Sequence, residues 1–266
     1  MQRRLGHLET QVLAYAQMRQ MRTVRTGEMA RSLRLSPQQA QEVVGRLARG
    51  GLIARVRRGL YLVPPRLPLG GTWSPGPILA LSALMEDRKA RYQICGPNAF
   101  NRYGLDEQVP TRLYVYNNRL SGDRAIGAVE MTLIKVTDDR LGGTEEVQTP
   151  EGLTAVYSSR VRTLVDAVYD WSRFSSLPRA YDWIRRELSS GRVRAADLAR
   201  AALKFGNQGT LRRIGLLLEQ EGAPRALLAT LRRSLRSSAS VIPWNPAGPN
   251  RGPVNRLWGV ILNESR

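Results

Sequence analysis

The chain has 266 residues, 42% of them hydrophobic, and a formal charge of +19. That length holds one large domain or two ordinary ones, and the charge points to a polyanionic partner, nucleic acid above all. A single cysteine, Cys95, excludes a disulfide framework; a single histidine, His7, removes most zinc sites and any dyad needing a placed imidazole.

The positive charge is uneven. Residues 1–67 hold 13 basic and 3 acidic side chains, residues 68–172 hold 11 and 13, and residues 173–266 hold 17 and 6. Two basic ends therefore flank a near-neutral middle, the pattern expected of two contacts with a phosphate backbone. Only Lys89, Lys135 and Lys204 are lysines. Compositional bias accounts for the preference for arginine, but not for the excess of positive charge.

Apolar residues at helical spacing predict a first helix over 8–19. Thr26 caps a short second helix whose inner face is Met29, Ala30 and Leu33. Ser36 caps a third, with Pro37 at its first position, where the missing N–H is harmless. Ala40, Val43, Val44 and Leu47 form its inner face, and Gly50-Gly51 ends it. Two strands follow, Leu52–Arg55 and Leu60–Val63, with Arg57-Arg58-Gly59 as the tip between them. Residues 1–67 thus read as a winged helix-turn-helix domain that binds double-stranded DNA. The candidate DNA contacts are Ser36, Gln38, Gln39, Glu42 and Arg46 on the third helix, with Arg55, Arg57 and Arg58 on the wing. Gln and Arg match adenine and guanine edges in the major groove, and a paired-arginine tip suits phosphate. Gln41 and Arg49 suit a solvated helix face as well as a DNA contact.

A run rich in Pro and Gly, from Pro64 to Gly76, predicts a domain boundary near residue 68. Residues 68–266 are expected to form a larger α+β domain, with a small sheet over 90–158, a helical part over 159–236, and an irregular tail with a terminal strand over 237–266. Predicted elements are a helix over 77–85, strands over 92–95, 112–116, 129–136 and 153–158, and a helix from Ser159 to Asp170. Asp138-Asp139 and Glu145-Glu146 are paired carboxylates of the kind that hold magnesium, but their Gly- and Thr-rich surroundings favour solvated loops. Cys95, on a predicted strand, suits a small core position. No glycine-rich phosphate loop is present, and no cofactor, metal or catalytic residue is expected.

Four further helices are predicted over 177–188, 194–205, 209–219 and 223–236. Opposite their leucine faces lie Arg212, Arg213, Arg225, Arg232, Arg233 and Arg236, a second basic surface of one sign that suits DNA or an acidic protein. The N-terminus lacks an apolar core segment, and no apolar run approaches the roughly 20 residues of a membrane span, so a cytoplasmic protein without membrane contact is expected.

In order, the segments GLIARVRRGLYLVPP, ICGPNAFNRYGLDEQVPTRLYVY and SSRVRTLVDAV, followed by a helical C-terminal half, resemble the AbiEi family of antitoxins. Gly104-Leu105 and Gln108–Pro110 fit the family phrase, whereas Asp106-Glu107 between them depart from its more neutral residues. Arg162-Thr163-Leu164 with Asp166 is the most specific match. The resemblance implies a non-enzymatic antitoxin of a type IV toxin-antitoxin system, active in abortive infection against phage. Its N-terminal domain would bind inverted repeats in its own promoter, and the remainder would counteract a nucleotidyltransferase-like toxin directly or indirectly. Two readings compete with it: a winged-helix regulator with a ligand-sensing or dimerisation domain, and a DNA-targeted nucleic-acid-modifying enzyme dependent on Asp138 or Glu145.

Overall fold

The computed structural model describes residues 5–66, 72–236 and 240–263. The boundary expected near residue 68 and the start of the tail at 237 lie outside the described residues. The fold is α+β, as expected, and its N-terminal unit runs α1 (His7–Met18), β1 (Thr23–Arg25), α2 (Thr26–Ser32), α3 (Pro37–Arg49), β2 (Ala54–Arg57) and β3 (Leu60–Leu62). This is the order of a winged helix-turn-helix.

Residue chemistry accounts for these boundaries. Ser36 Oγ accepts the Gln39 N–H at 3.1 Å while Gln39 Oε1 accepts the Ser36 N–H at 2.9 Å, closing two donors that a helix start leaves open. Gly51, at φ +67°, reverses the chain after α3. The three strands pair antiparallel in the order β1-β3-β2. β1 was not predicted: only Val24 of its three residues is buried, too little for a periodic signal. The hairpin begins two residues later than expected, because buried Ile53 packs with the helices. Arg57 belongs to the strand, and Arg58-Gly59 alone makes the turn.

The helices close on Val12, Leu13, Met29, Val43, Val44 and Leu47, joined by Val24, Ile53 and Tyr61 from the sheet. Successive strand residues face opposite ways. Accordingly Tyr61 faces these helices, while Ala54 and Leu62 enter a different core shared with α4 (Pro77–Asp87) and the large sheet.

That sheet has six strands, β4 (Tyr92–Ile94), β5 (Leu113–Asn117), β6 (Gly122–Ile126), β7 (Val129–Lys135), β8 (Thr144–Gln148) and β9 (Thr154–Ser158), in the order β6-β7-β5-β4-β9-β8. The β4–β9 and β5–β7 pairs are parallel and the others antiparallel. Leu113, Val115, Met131 and Leu133 face α4 and the wing. Tyr116 and Ile134 face the other way, toward the helical half. The edge strands β6 and β8 were not expected. GDRAI and TEEVQ are almost wholly exposed, so they carry no alternation of apolar residues. Glu145 and Glu146 therefore stand on an edge strand, not in the loop predicted for them.

α5 (Gly96–Arg102) and α6 (Arg160–Tyr169) cover the second face, backed by α7 (Trp171–Phe174), α8 (Arg179–Ser189), α9 (Ala195–Phe205), α10 (Gln208–Gln220) and α11 (Arg225–Arg233). Where an irregular tail with a terminal strand was expected, a small sheet forms from β10 (Ile242–Pro243), β11 (Val254–Asn255) and β12 (Val260–Ile261), ordered β10-β12-β11; β12 falls within the expected terminal strand. Two buried tryptophans pin it. Trp244 stacks on Tyr181 with ring centroids 3.7 Å apart, and Trp258 lies over Gly215, where a methyl group would meet its ring at 2.1 Å.

A buried polar network joins α6 to the large sheet. Arg162 Nε reaches both Asp166 oxygens at 2.8 and 2.9 Å, and Arg140 Nη2 reaches one at 3.1 Å. Arg162 also donates to the carbonyls of Arg140 and Gly142, while Arg140 Nη1 donates to that of Phe205. Gln93 bridges Ser158 Oγ and the Gly142 N–H, both at 2.8 Å. Arg162 and Asp166 are almost wholly inaccessible, so replacing one partner strands the other's charge away from water. Asp166→Ala should therefore lower stability by about 3–5 kcal/mol, measured as the shift in a denaturant unfolding curve. A loss within about 0.5 kcal/mol, usual for a surface position, would show that the network is not held as described.

Candidate nucleic-acid interface

On α3, Gln38, Gln39, Gln41, Glu42, Arg46 and Arg49 are all exposed, but their side chains are committed to different degrees. Gln39 Oε1 belongs to the helix cap. Gln38 Nε2 donates to Glu42 Oε1 at 3.0 Å. Arg46 Nε lies 3.5 Å from Glu9 Oε1, a nearly buried carboxylate at the start of α1. Among the described residues, Gln41 and Arg49 make no side-chain contact of this kind, and they stand on one stripe with Gly45 between them. The Arg49 guanidinium lies over Gly45, with Nη1 3.5 Å from where a methyl group on Gly45 would sit. Ser36 is exposed at the helix start, its hydroxyl accepting the cap bond. The stripe most open to a partner is thus centred on Gln41, Gly45 and Arg49 rather than on Gln39 and Arg46.

The wing divides in a similar way. Arg55 and Arg58 are exposed. Arg57 is held by the body of the protein: Nε and Nη2 grip the two oxygens of Asp87 at 2.6 and 2.7 Å, at the end of α4. Arg25 Nη2 adds a contact to Asp87 at 3.3 Å, and Arg57 Nη1 donates to the Arg58 carbonyl. The bidentate bond from Arg57 holds the Asp87 carboxyl below its usual range and raises the Arg57 guanidinium above its own. Of the paired arginines expected at the tip, Arg58 projects and Arg57 anchors. Asp87 gave no signal in the sequence, since an aspartate ending an amphipathic helix is unremarkable until its partner is known.

The second basic surface is a partial correction. Arg225, Arg232, Arg233 and Arg236 are exposed, but Arg212 and Arg213 are only 7% and 6% exposed. Arg212 Nη1 donates to the Ser240 carbonyl at 2.8 Å, and Arg213 donates to that of Pro243 at 2.9 Å. Burial lowers the Arg213 guanidinium from its ordinary value. Their stems run inward because α10 is enclosed on nearly every side, so both tie down the C-terminal segment. Arg256, which sequence reasoning did not select, joins the exposed group from the turn before β12.

The remaining candidates are dispersed. Asp138 begins a 3-10 turn and accepts from Asn118 at 2.9 Å, while Glu145 accepts from the Tyr103 hydroxyl at 2.9 Å. Cys95 is fully buried, and burial pushes its thiol well above the ordinary value. Among the described residues, no three His, Cys, Asp or Glu side chains gather as a metal site, and no helix is long and apolar enough to cross a membrane.

The Asp87 grip predicts an acid dependence. A carboxyl held low by its partner contributes stability that is present above the unfolded value of about 3.9 and lost as pH falls through the lower folded value. Asp87→Asn should lower stability by about 1 kcal/mol at neutral pH, a small effect because the Arg57 side chain is 36% exposed and screened by solvent. Thermal melts of variant and parent should begin to converge as pH falls below about 4 and meet below the lowered folded value. A gap that persisted in acid would assign the effect to packing.

No family model matches the chain, and no curated protein matches it. Among solved structures it is similar to the crystal structure of the RV2827C protein from Mycobacterium tuberculosis, with a TM-score of 0.57 at 17% identity, over 97% of this chain and 92% of that one. At that identity the likeness is one of fold, and it extends along nearly the whole of both chains.

Proposed function

We propose that this chain is a double-stranded DNA-binding repressor of its own operon and the antitoxin of a type IV toxin-antitoxin system, acting in the cytoplasm without catalysis of its own. The observation that carries the DNA reading is α3: a capped helix following a tight turn, beside a short wing, with Gln41 and Arg49 exposed and uncommitted. Gly45 between them places no side chain on the stripe, and only Arg49 Nη1 lies over it. Arg55 and Arg58 supply phosphate contacts at the flank. The antitoxin half rests on the resemblance to the AbiEi family carried by the wing segment, by Gly104-Leu105 with Gln108–Pro110, and by Arg162-Thr163-Leu164 with Asp166. A nucleotidyltransferase-like toxin is the partner that resemblance implies.

The test is a gel-shift titration against the chain's own upstream DNA. Gln41→Ala or Arg49→Ala should change sequence preference, by about 1–3 kcal/mol per lost bidentate base contact. Arg58→Ala should weaken binding to all sequences alike and reduce the salt slope by about one. Gln39→Ala should act on helix stability through the lost cap. If none of the first three variants altered binding, the assignment of α3 and the wing would be wrong.

The protective half is checked separately by co-expressing the chain with a neighbouring nucleotidyltransferase-like protein. Growth should be restored, and a chain carrying both Gln41→Ala and Arg49→Ala should restore it equally. Failure of the parent chain to restore growth would remove the antitoxin reading and leave the DNA reading standing.

A further inference from the structure

Four exposed arginines of the C-terminal half and the nearly buried Arg212 border one open concavity. Arg212, Arg232, Arg233, Arg236 and Arg256 line one concavity of about 610 Å³ between α10, α11 and the turn leading into β12. Leu257, Trp258 and Gly259 complete the wall opposite α11. No carboxylate lines it. Glu219, on α10, is engaged by Trp258 Nε1 at 3.0 Å and by Asn255 Nδ2. Among the described residues, Arg232, Arg236 and Arg256 form no ion pair and their side chains donate to no acceptor. Arg212 stands at the nearly buried base, with Nη1 bound to the Ser240 carbonyl. Arg233 makes two long contacts within its own helix, to the Ala229 carbonyl and Thr230 Oγ1.

Five guanidinium groups around one recess repel one another, and small univalent ions relieve this only by screening. We propose that this cleft is a binding site for a compact oligophosphate of the kind a nucleotide carries. The planar fork of arginine matches phosphate oxygens two at a time, and several forks converging from different segments match a chain of phosphates. The volume lies within the range of small-molecule sites. The donors converge on one concave surface from α10, α11 and the turn before β12, and Arg212 among them is nearly buried. The site shares no residue with α3 or the wing and is independent of the DNA reading.

The experiment is isothermal titration calorimetry of the full-length chain with sodium tripolyphosphate and, in parallel, adenosine triphosphate, at about 0.15 M salt. Saturable binding near one site per chain is expected. Arg232→Ala and Arg236→Ala should each weaken it about tenfold or more, as loss of a charged hydrogen bond does. Arg225→Ala, an exposed arginine on α11 outside the cleft, should leave it unchanged, and all three variants should keep the parent melting temperature. Tighter binding of adenosine triphosphate than of tripolyphosphate would identify the source as a nucleotide, and equal binding would identify an inorganic oligophosphate. The proposal is overturned if neither ligand binds, if Arg225→Ala weakens binding as much as the cleft variants do, or if the cleft variants weaken only duplex DNA binding.

Discussion

Asp166 is a carboxylate placed where water cannot reach it, and the arrangement of the body depends on how that charge is held. Burying an ionised carboxylate costs several kcal/mol unless donors surround it. Here Arg162 comes from the same helix and Arg140 from the 3-10 turn after β7. Arg162 Nη1 and Nη2 engage carbonyls of the segment between β7 and β8, and Arg140 Nη1 engages that of Phe205 at the end of α9. The buried Arg140 Nε has no hydrogen-bond partner among the described residues. The rings of Phe205 and Tyr169 lie 3.9 and 3.8 Å from the two guanidinium carbons. Each segment supplies a donor or an acceptor that the others need. α6 can therefore seat against the sheet in one register, and α9 must close over it.

How much of this was legible in the sequence depended on whether a segment's surroundings were local. The cap of α3 was readable because Ser36, Pro37 and Gln39 are neighbours that satisfy one another. The helical half was readable because its leucines recur at helical spacing. The edge strands β6 and β8 were not, since their partners β7 and β9 supply their hydrogen bonds while their own side chains face solvent. The C-terminal sheet was hidden for a related reason: its strands are two residues each, and Trp244 and Trp258 hold them against helices far away in the chain. Within the candidate interface, charge and exposure were legible but commitment was not. Nothing near Arg57 announces Asp87, and nothing near Arg213 announces Pro243.

Arginine serves two ends in this chain. One set is consumed internally, with guanidinium forks spread over backbone carbonyls and buried acids, as at Arg140, Arg160, Arg162 and Arg213. Arg160, for example, shares the buried Glu187 carboxylate with Arg192 and so joins α6 to α8. The other set, at Arg49, Arg58, Arg232, Arg236 and Arg256, has no carboxylate partner among the described residues. A lysine could replace few of the first set, because a point charge cannot satisfy several acceptors in one plane. The compositional preference for arginine thus has structural uses apart from any affinity for phosphate.

The rear of the wing has a consequence for how this architecture can evolve. Helix-turn-helix units are commonly thought of as cassettes that a linker attaches to any body. Here Ala54 and Leu62 are part of the body's own core, and Asp87 grips the strand from outside. A transplanted unit would carry a greasy, unmatched back, and the body left behind would lose one wall of its core. The N-terminal unit and the body must therefore change together, residue against residue. Exchange of side chains is easiest on the outward stripe of α3, where, among the described residues, Gln41 and Arg49 form no ion pair or side-chain hydrogen bond.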